Sequence, residues 1–182
     1  MSGDETFTPR EPIETISGPP GMQAEGVMDA LGQLPELSQF LSSILHGVLA
    51  ASGRHEELES AGNAGGYYCI ADQGTILPLA IIPVGEIPSD KGAGRAARCI
   101  EKAARLSRHP RHDRSWESRD PERDMWGGAV RGRRFIHSFS GLPEELDEVF
   151  CCIVACALGD MSKESARRMI GEVFDRYEHL LT

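Results

Sequence analysis

Residues 65–85 read GGYYCIADQGTILPLAIIPVG, and this stretch decides the fold. Tyr67 to Ala71 are aromatic, β-branched or small, Asp72-Gln73-Gly74 is a turn signal, and Thr75 to Val84 resume the apolar run, so the stretch is a β-hairpin. Pro78 and Pro83 cannot donate to a ladder, which places the second strand at a sheet edge or gives it a bulge. Upstream, Leu37, Phe40, Leu41, Ile44, Leu45, Val48 and Leu49 follow one helical face after Pro35, a residue suited to a first helical turn. A short helix is expected around 23–32, and the polar, glycine-bearing 53–66 reads as a loop. Downstream, Ser89 or Asp90 is expected to cap an alanine-rich helix running to about Ser107. A polar loop at 108–124 leads to strands at about 125–131 and 133–140, joined at Arg131-Gly132-Arg133. Pro143 starts a helix to about 158, and a last helix follows Gly159 over 162–181. Helix, hairpin, helix, hairpin, helix, helix make an α/β (α+β) domain: an antiparallel sheet of four to five strands with helices packed on it.

The composition bounds the class of protein. The 182 residues, 40% of them hydrophobic, suffice for one domain with its own core. Residues 1–22 carry four prolines, three glycines and few large apolar side chains, so they are expected to be a disordered acidic tail before a single domain at 23–182. Of the net charge of −9, a balance of −6 falls within residues 1–36, where seven acids face Arg10 alone. An acidic chain disfavours nucleic acid and acidic membrane surfaces as partners. No apolar run is long enough to cross a bilayer, and the N-terminus lacks the basic-then-apolar order of a signal peptide, so a cytoplasmic protein is expected. Five cysteines with no CxxC pattern, three of them at Cys151, Cys152 and Cys156 in an apolar helical run, point to reduced core thiols.

Five short motifs in one order resemble the GlcG/HbpS group, the haem-degrading-like domains also found at the end of PduO-type proteins. They are Gly65-Gly66, Ser89-Asp90-Lys91, Gly127-Gly128-Ala129-Val130, Ser138-Phe139-Ser140-Gly141 and Asp147-Glu148, and they cover about residues 36–158. The resemblance implies a profilin-like fold, self-association, and a haem- or corrinoid-like ligand. The chain departs from that pattern at Gly92-Ala93-Gly94, in the 107–124 loop and in the final helix.

The segment Ser89-Asp90-Lys91-Gly92-Ala93-Gly94-Arg95 is the most suggestive candidate site. Glycines inside a helix N-terminus let a ligand approach unpaired amides, while the helix dipole, Lys91 and Arg95 favour a carboxylate or phosphate. The other reading of the same residues is close helix-to-sheet packing with solvated charges. Nine arginines against five acids over 105–134, Arg131 among them, suit either a loop closing on an anion or internal ion pairs. His137 shares a strand face with Phe135 and Phe139, so it is either hydrogen-bonded in the interior or lines a pocket, where it would ligate haem iron or shuttle a proton. His109 and His112 are separated by Pro110 and make a poor zinc pair. No catalytic set assembles from spacing alone. The expected function is therefore binding of a small anionic, haem- or tetrapyrrole-like ligand by Lys91, Gly92, Gly94, Arg95, Arg131 and His137. The alternative is a ligand-free interaction module acting as a homo-oligomer through the apolar faces at 37–49 and 166–181.

Overall fold

The computed structural model describes residues 31–75 and 77–181. The expected tail, and the 23–32 helix apart from its last two residues, lie outside them. Helix α1 (Leu34–Ser52) has Pro35 in its first turn, buries Leu37, Leu41, Ile44, Leu45, Val48 and Leu49, and stops at Gly53, which takes φ +70° and donates to the Ala50 carbonyl. The expected 53–66 loop contains a short helix, α2 (His55–Ser60). Strands β1 (Gly65–Asp72) and β2 (Pro78–Gly85) form the first hairpin, with the Gly74 amide held by the Asp72 carboxylate at 2.8 Å.

Helix α3 (Gly92–Arg108) begins later than expected: the Pro88 carbonyl accepts from the Lys91 and Gly92 amides, and neither Ser89 nor Asp90 caps it. The segment 109–128 holds two 3₁₀ turns, Ser115–Ser118 and Pro121–Arg123. Strand β3 (Ala129–Arg131) is shorter than expected because Gly128, at φ +109°, turns the preceding chain away. It pairs with β4 (Phe135–Ser140), and α4 (Glu144–Ala157) follows. The expected single helix over 162–181 is broken at Gly171 (φ +62°) into α5 (Lys163–Ile170), α6 (Val173–Tyr177) and a final 3₁₀ turn.

The sheet is antiparallel throughout, in the order β2-β1-β4-β3. As Pro78 and Pro83 imply, β2 lies at an edge, and its register shifts between Ile70 and Ala71 of the facing strand. One sheet face presents Tyr68, Ile70, Ile82, Val84, Val130, Phe135 and Phe139 to α1, α4 and the C-terminal helices. The other presents Cys69, Ala71, Ala129 and Ile136 to α3 alone, through Cys99, Ala103 and Leu106. Small side chains on both sides of that second contact seat α3 close to β1, β4 and β3. The apolar faces at 37–49 and 166–181, expected to be free for a partner, are instead packed in the larger core, where Ala166, Phe174 and Tyr177 are buried.

The ends of β1 and β4 meet backbone to backbone. A Cβ on Gly66 would lie 2.7 Å from the Gly141 Cα and against the Ser140 carbonyl, and one on Gly141 would lie 2.6 Å from the Gly66 Cα. Main chain cannot swing aside, so Gly66→Ala is expected to destabilise the fold by about 1–3 kcal/mol. Gly94 meets only the tip of Arg98, at 3.7 Å, inside a helix. Gly94→Ala is therefore expected to stabilise by roughly 0.5–1 kcal/mol. Chemical denaturation midpoints of the two variants should move in opposite directions.

Candidate functional site

The basic groups expected to hold an anion are bound to the protein's own main chain. Lys91 Nζ donates to the Ala61 carbonyl at 2.6 Å, and Arg95 donates to the carbonyls of Gly65 at 2.9 Å and Gly62 at 2.6 Å and to Asn63 Oδ1 at 2.6 Å. Arg95 is buried, and burial lowers its pKa. These two side chains tie the α2–β1 connection to the start of α3. Nothing in the structure requires glycine at 92 or 94, since a Cβ at either would meet no atom closer than 3.7 Å. Arg131 donates to the carbonyls of Leu106, His109 and His112, closing the end of α3 onto β3.

His137 belongs to the other side of the molecule. It is fully buried, and its face of β4 looks toward α4, whereas Lys91 and Arg95 sit at the start of α3 across the sheet. Its Nδ1 is 2.6 Å from the Tyr68 hydroxyl and its Nε2 is 2.9 Å from Asp160 Oδ2. Asp160 also accepts from the Arg134 and Phe135 amides. Burial pushes the Tyr68 phenol well up, so Tyr68 keeps its proton and can donate it to Nδ1, the tautomer in which the Nε2 N–H donates to Asp160 Oδ2. Both ring nitrogens are thus engaged. The structure does not bring His137 together with Lys91, Arg95 or Arg131, and the groove expected from them does not form.

The arginine-rich loop is likewise turned inward. Arg105, almost wholly buried, donates to the carbonyls of Ser115, Ser118 and Trp126 and pairs with Glu101. Arg119 pairs with Glu144 and lies over the rings of Trp116 and Trp126. The rings of His109 and His112 stack at 4.8 Å. Among the described residues, no cluster of His, Cys, Asp and Glu is arranged to hold a metal ion.

A buried charged cluster, not expected from the sequence, lies where the loop meets α3 and α4. Lys102 and Asp147 pair at 2.7 Å, each 2% exposed; Lys102 also donates to the Phe139 carbonyl, and Asp147 accepts from the Leu142 amide. Burial raises Asp147 to about 6 against the pull of Lys102. Next to it Glu148 reaches Arg114 at 3.3 Å through Oε2, while its buried Oε1 has no hydrogen-bond partner. Burial raises Glu148 to about 7, opposed by the Arg114 charge and the nearby Gly128 and Trp116 amides. Glu144, one turn earlier, goes the other way: burial raises it, but Arg119 and the Gly127 amide prevail and leave it below the usual range. Gly128 makes this junction reachable, because a Cβ there would lie 2.6 Å from Asp147 Cβ and 2.7 Å from Lys102 Nζ. The signal in the sequence was a lysine on the apolar stripe of α3, in line with Cys99 and Leu106, and two acids between Leu146 and Val149 of α4.

Open depressions mark the surface of the described residues. One of about 580 Å³ is lined by Glu101, Arg105, Arg108, His109, Arg119 and Met125 among others, and one of about 490 Å³ lies between α1, α2 and the chain after β2, with His46, His55, Glu59 and Glu86 on its walls. Lys91, Arg95 and His137 line neither. Burial raises the thiols of Cys99, Cys151 and Cys152 well above their ordinary value, which removes them as nucleophiles. No helix among the described residues is long and apolar enough to cross a membrane.

No family model, curated protein or solved structure matches the chain. These comparisons lend the resemblance to the GlcG/HbpS group no support. Four of its short motifs meet in space: Gly65-Gly66 crosses the Gly141 end of its motif, and Gly127-Gly128 packs against Asp147-Glu148.

The acid cluster makes stability depend on pH in a definite direction. Glu148 holds its proton to about 7 when folded, against an ordinary 4.5, so between these values the folded state binds more protons than the unfolded. Its contribution is complete below about 4.5 and is lost as pH rises through about 7. Denaturant midpoints at pH 5 and pH 8 should therefore differ less in Glu148→Gln than in the wild type.

Proposed function

We propose that this domain is a protein–protein interaction module that acts as a homo-oligomer, associating through the β2 side of its sheet. The supporting observation is the contrast between the two sheet edges. At β3 the edge is covered, by a bridge between Arg114 and Val130 and by the Arg131 amide donating to the Asp113 carbonyl at 2.8 Å. At β2, among the described residues, no main chain pairs with the outer side of 79–85. The same strand shows Leu79 and Ile81 at 45% and 39% exposure, next to Leu77 at 74%. The stretch 75–85 contains no charged residue. Protected sheet edges carry charges, prolines, bulges or a covering segment; β2 has Pro78, Pro83 and a register shift, but it lacks charge and cover and leaves the Ile81 main chain open beside an apolar surface. The ligand reading has less support, since Lys91, Arg95, Arg131 and His137 are each engaged within the protein and line no common cavity.

Light scattering across a concentration series tests the proposal. The wild type is expected to exceed the monomer mass of 19.9 kDa. Ile81→Lys, which places a charge on the open strand, should shift it to monomer with an unchanged thermal midpoint. A wild type that stays monomeric at high concentration overturns the proposal.

A further inference from the structure

The direction of the main-chain groups along β2 narrows how such an association is made. The Phe139 amide donates to the Gly128 carbonyl at 2.9 Å, so Phe139 faces away from β1. Its neighbours Ser138 and Ser140 then face β1 and form the hydrogen-bonded pairs with Cys69 and Tyr67. With the groups of Tyr67 and Cys69 directed at β4, their opposite partners on β2, Pro83 and Ile81, face outward. Pro78, opposite Ala71, does the same on the far side of the register shift. Two of the outward positions are thus prolines without an N–H. Between them Ile81 keeps both an outward donor and an outward acceptor.

Gly85, the remaining outward position, keeps its N–H but turns out of the strand at φ +70°, so Ile81 is the extended residue placed to make a reciprocal pair of hydrogen bonds with its own copy. Residues directly opposite in an antiparallel ladder exchange both bonds, and a two-fold axis through the pair satisfies both copies at once. We propose that two copies of this chain join β2 to β2 antiparallel, with Ile81 opposite Ile81 of the second copy, so that the four-stranded sheets become one of eight strands. This rests on the self-association proposed above and adds its register. Charge argues for a second copy as the occupant. The chain carries a net charge of −9, yet residues 75–85 carry none, so this edge meets itself without like-charge opposition. In this register Glu86, exposed just beyond β2, does not lie opposite its own counterpart. Ile81 and Leu79 gain apolar neighbours across the seam.

Ile81→Pro tests the register, because it removes only the outward amide and leaves every bond from β2 to β1 in place. The expected result is at least a tenfold weaker dimer by analytical ultracentrifugation, with the thermal midpoint and circular dichroism of the wild type. Cross-linking provides a second measurement that does not depend on proline being tolerated. Ile81→Cys treated with a short bifunctional thiol reagent should give a covalent dimer, whereas Ser43→Cys on exposed α1 and the wild type, four of whose five thiols are buried, should not. A wild-type dimer that survives Ile81→Pro at full affinity, or that fails to cross-link at 81, overturns the β2–β2 register while leaving self-association standing. A wild type that remains monomeric at every concentration removes both.

Discussion

The buried pair of Lys102 and Asp147 is the constraint on which the layered arrangement depends. It is the place where α3, from one side of the sheet, touches α4, from the other. It is formed past the end of β3 through the space that Gly128 leaves open. Two charges at 2% exposure are costly to bury, and their attraction offsets that cost only with further hydrogen bonds. Here the Phe139 carbonyl and the Leu142 amide supply them. Phe139 lies at the end of β4 and Leu142 in the turn that leads to α4. One ion pair therefore sets the spacing of three elements.

The same economy runs through the basic residues. A chain segment from 109 to 128 with little apolar content has no core of its own, and Arg105, Arg114, Arg119 and Arg131 fasten it by donating to carbonyls and carboxylates. The planar guanidinium, with five donors, suits this role better than lysine does. Arg95 fastens the 61–65 connection in the same manner. What reads in sequence as a positive field available to a ligand is, in the folded chain, largely a scaffold of main-chain contacts.

The fold was legible where periodicity and turn chemistry carry the information. The 65–85 hairpin, the α1 stripe, the alanine-rich α3 and the edge position of β2 all follow from local patterns. Pro78 and Pro83 specified that edge through a missing donor, a property that needs no tertiary context. The partners of His137 were not legible, since Tyr68 and Asp160 are brought to it from a neighbouring strand and from beyond α4. Nor was the break at Gly171: an apolar period continues across it, and a single glycine inside a helical pattern is ambiguous until its φ is known. For Asp147-Glu148 the signal was confined to their place between Leu146 and Val149, which does not say what they pair with; both side chains point inward.

The strand order also has a consequence for biosynthesis. β1 is central, but the strand that completes its inner side, β4, lies some 65 residues later in the chain. While the ribosome is still adding α3 and the arginine-rich loop, the nascent hairpin has two unpaired edges instead of one. The order of translation thus leaves the central strand half-paired until residues 135–140 have been made.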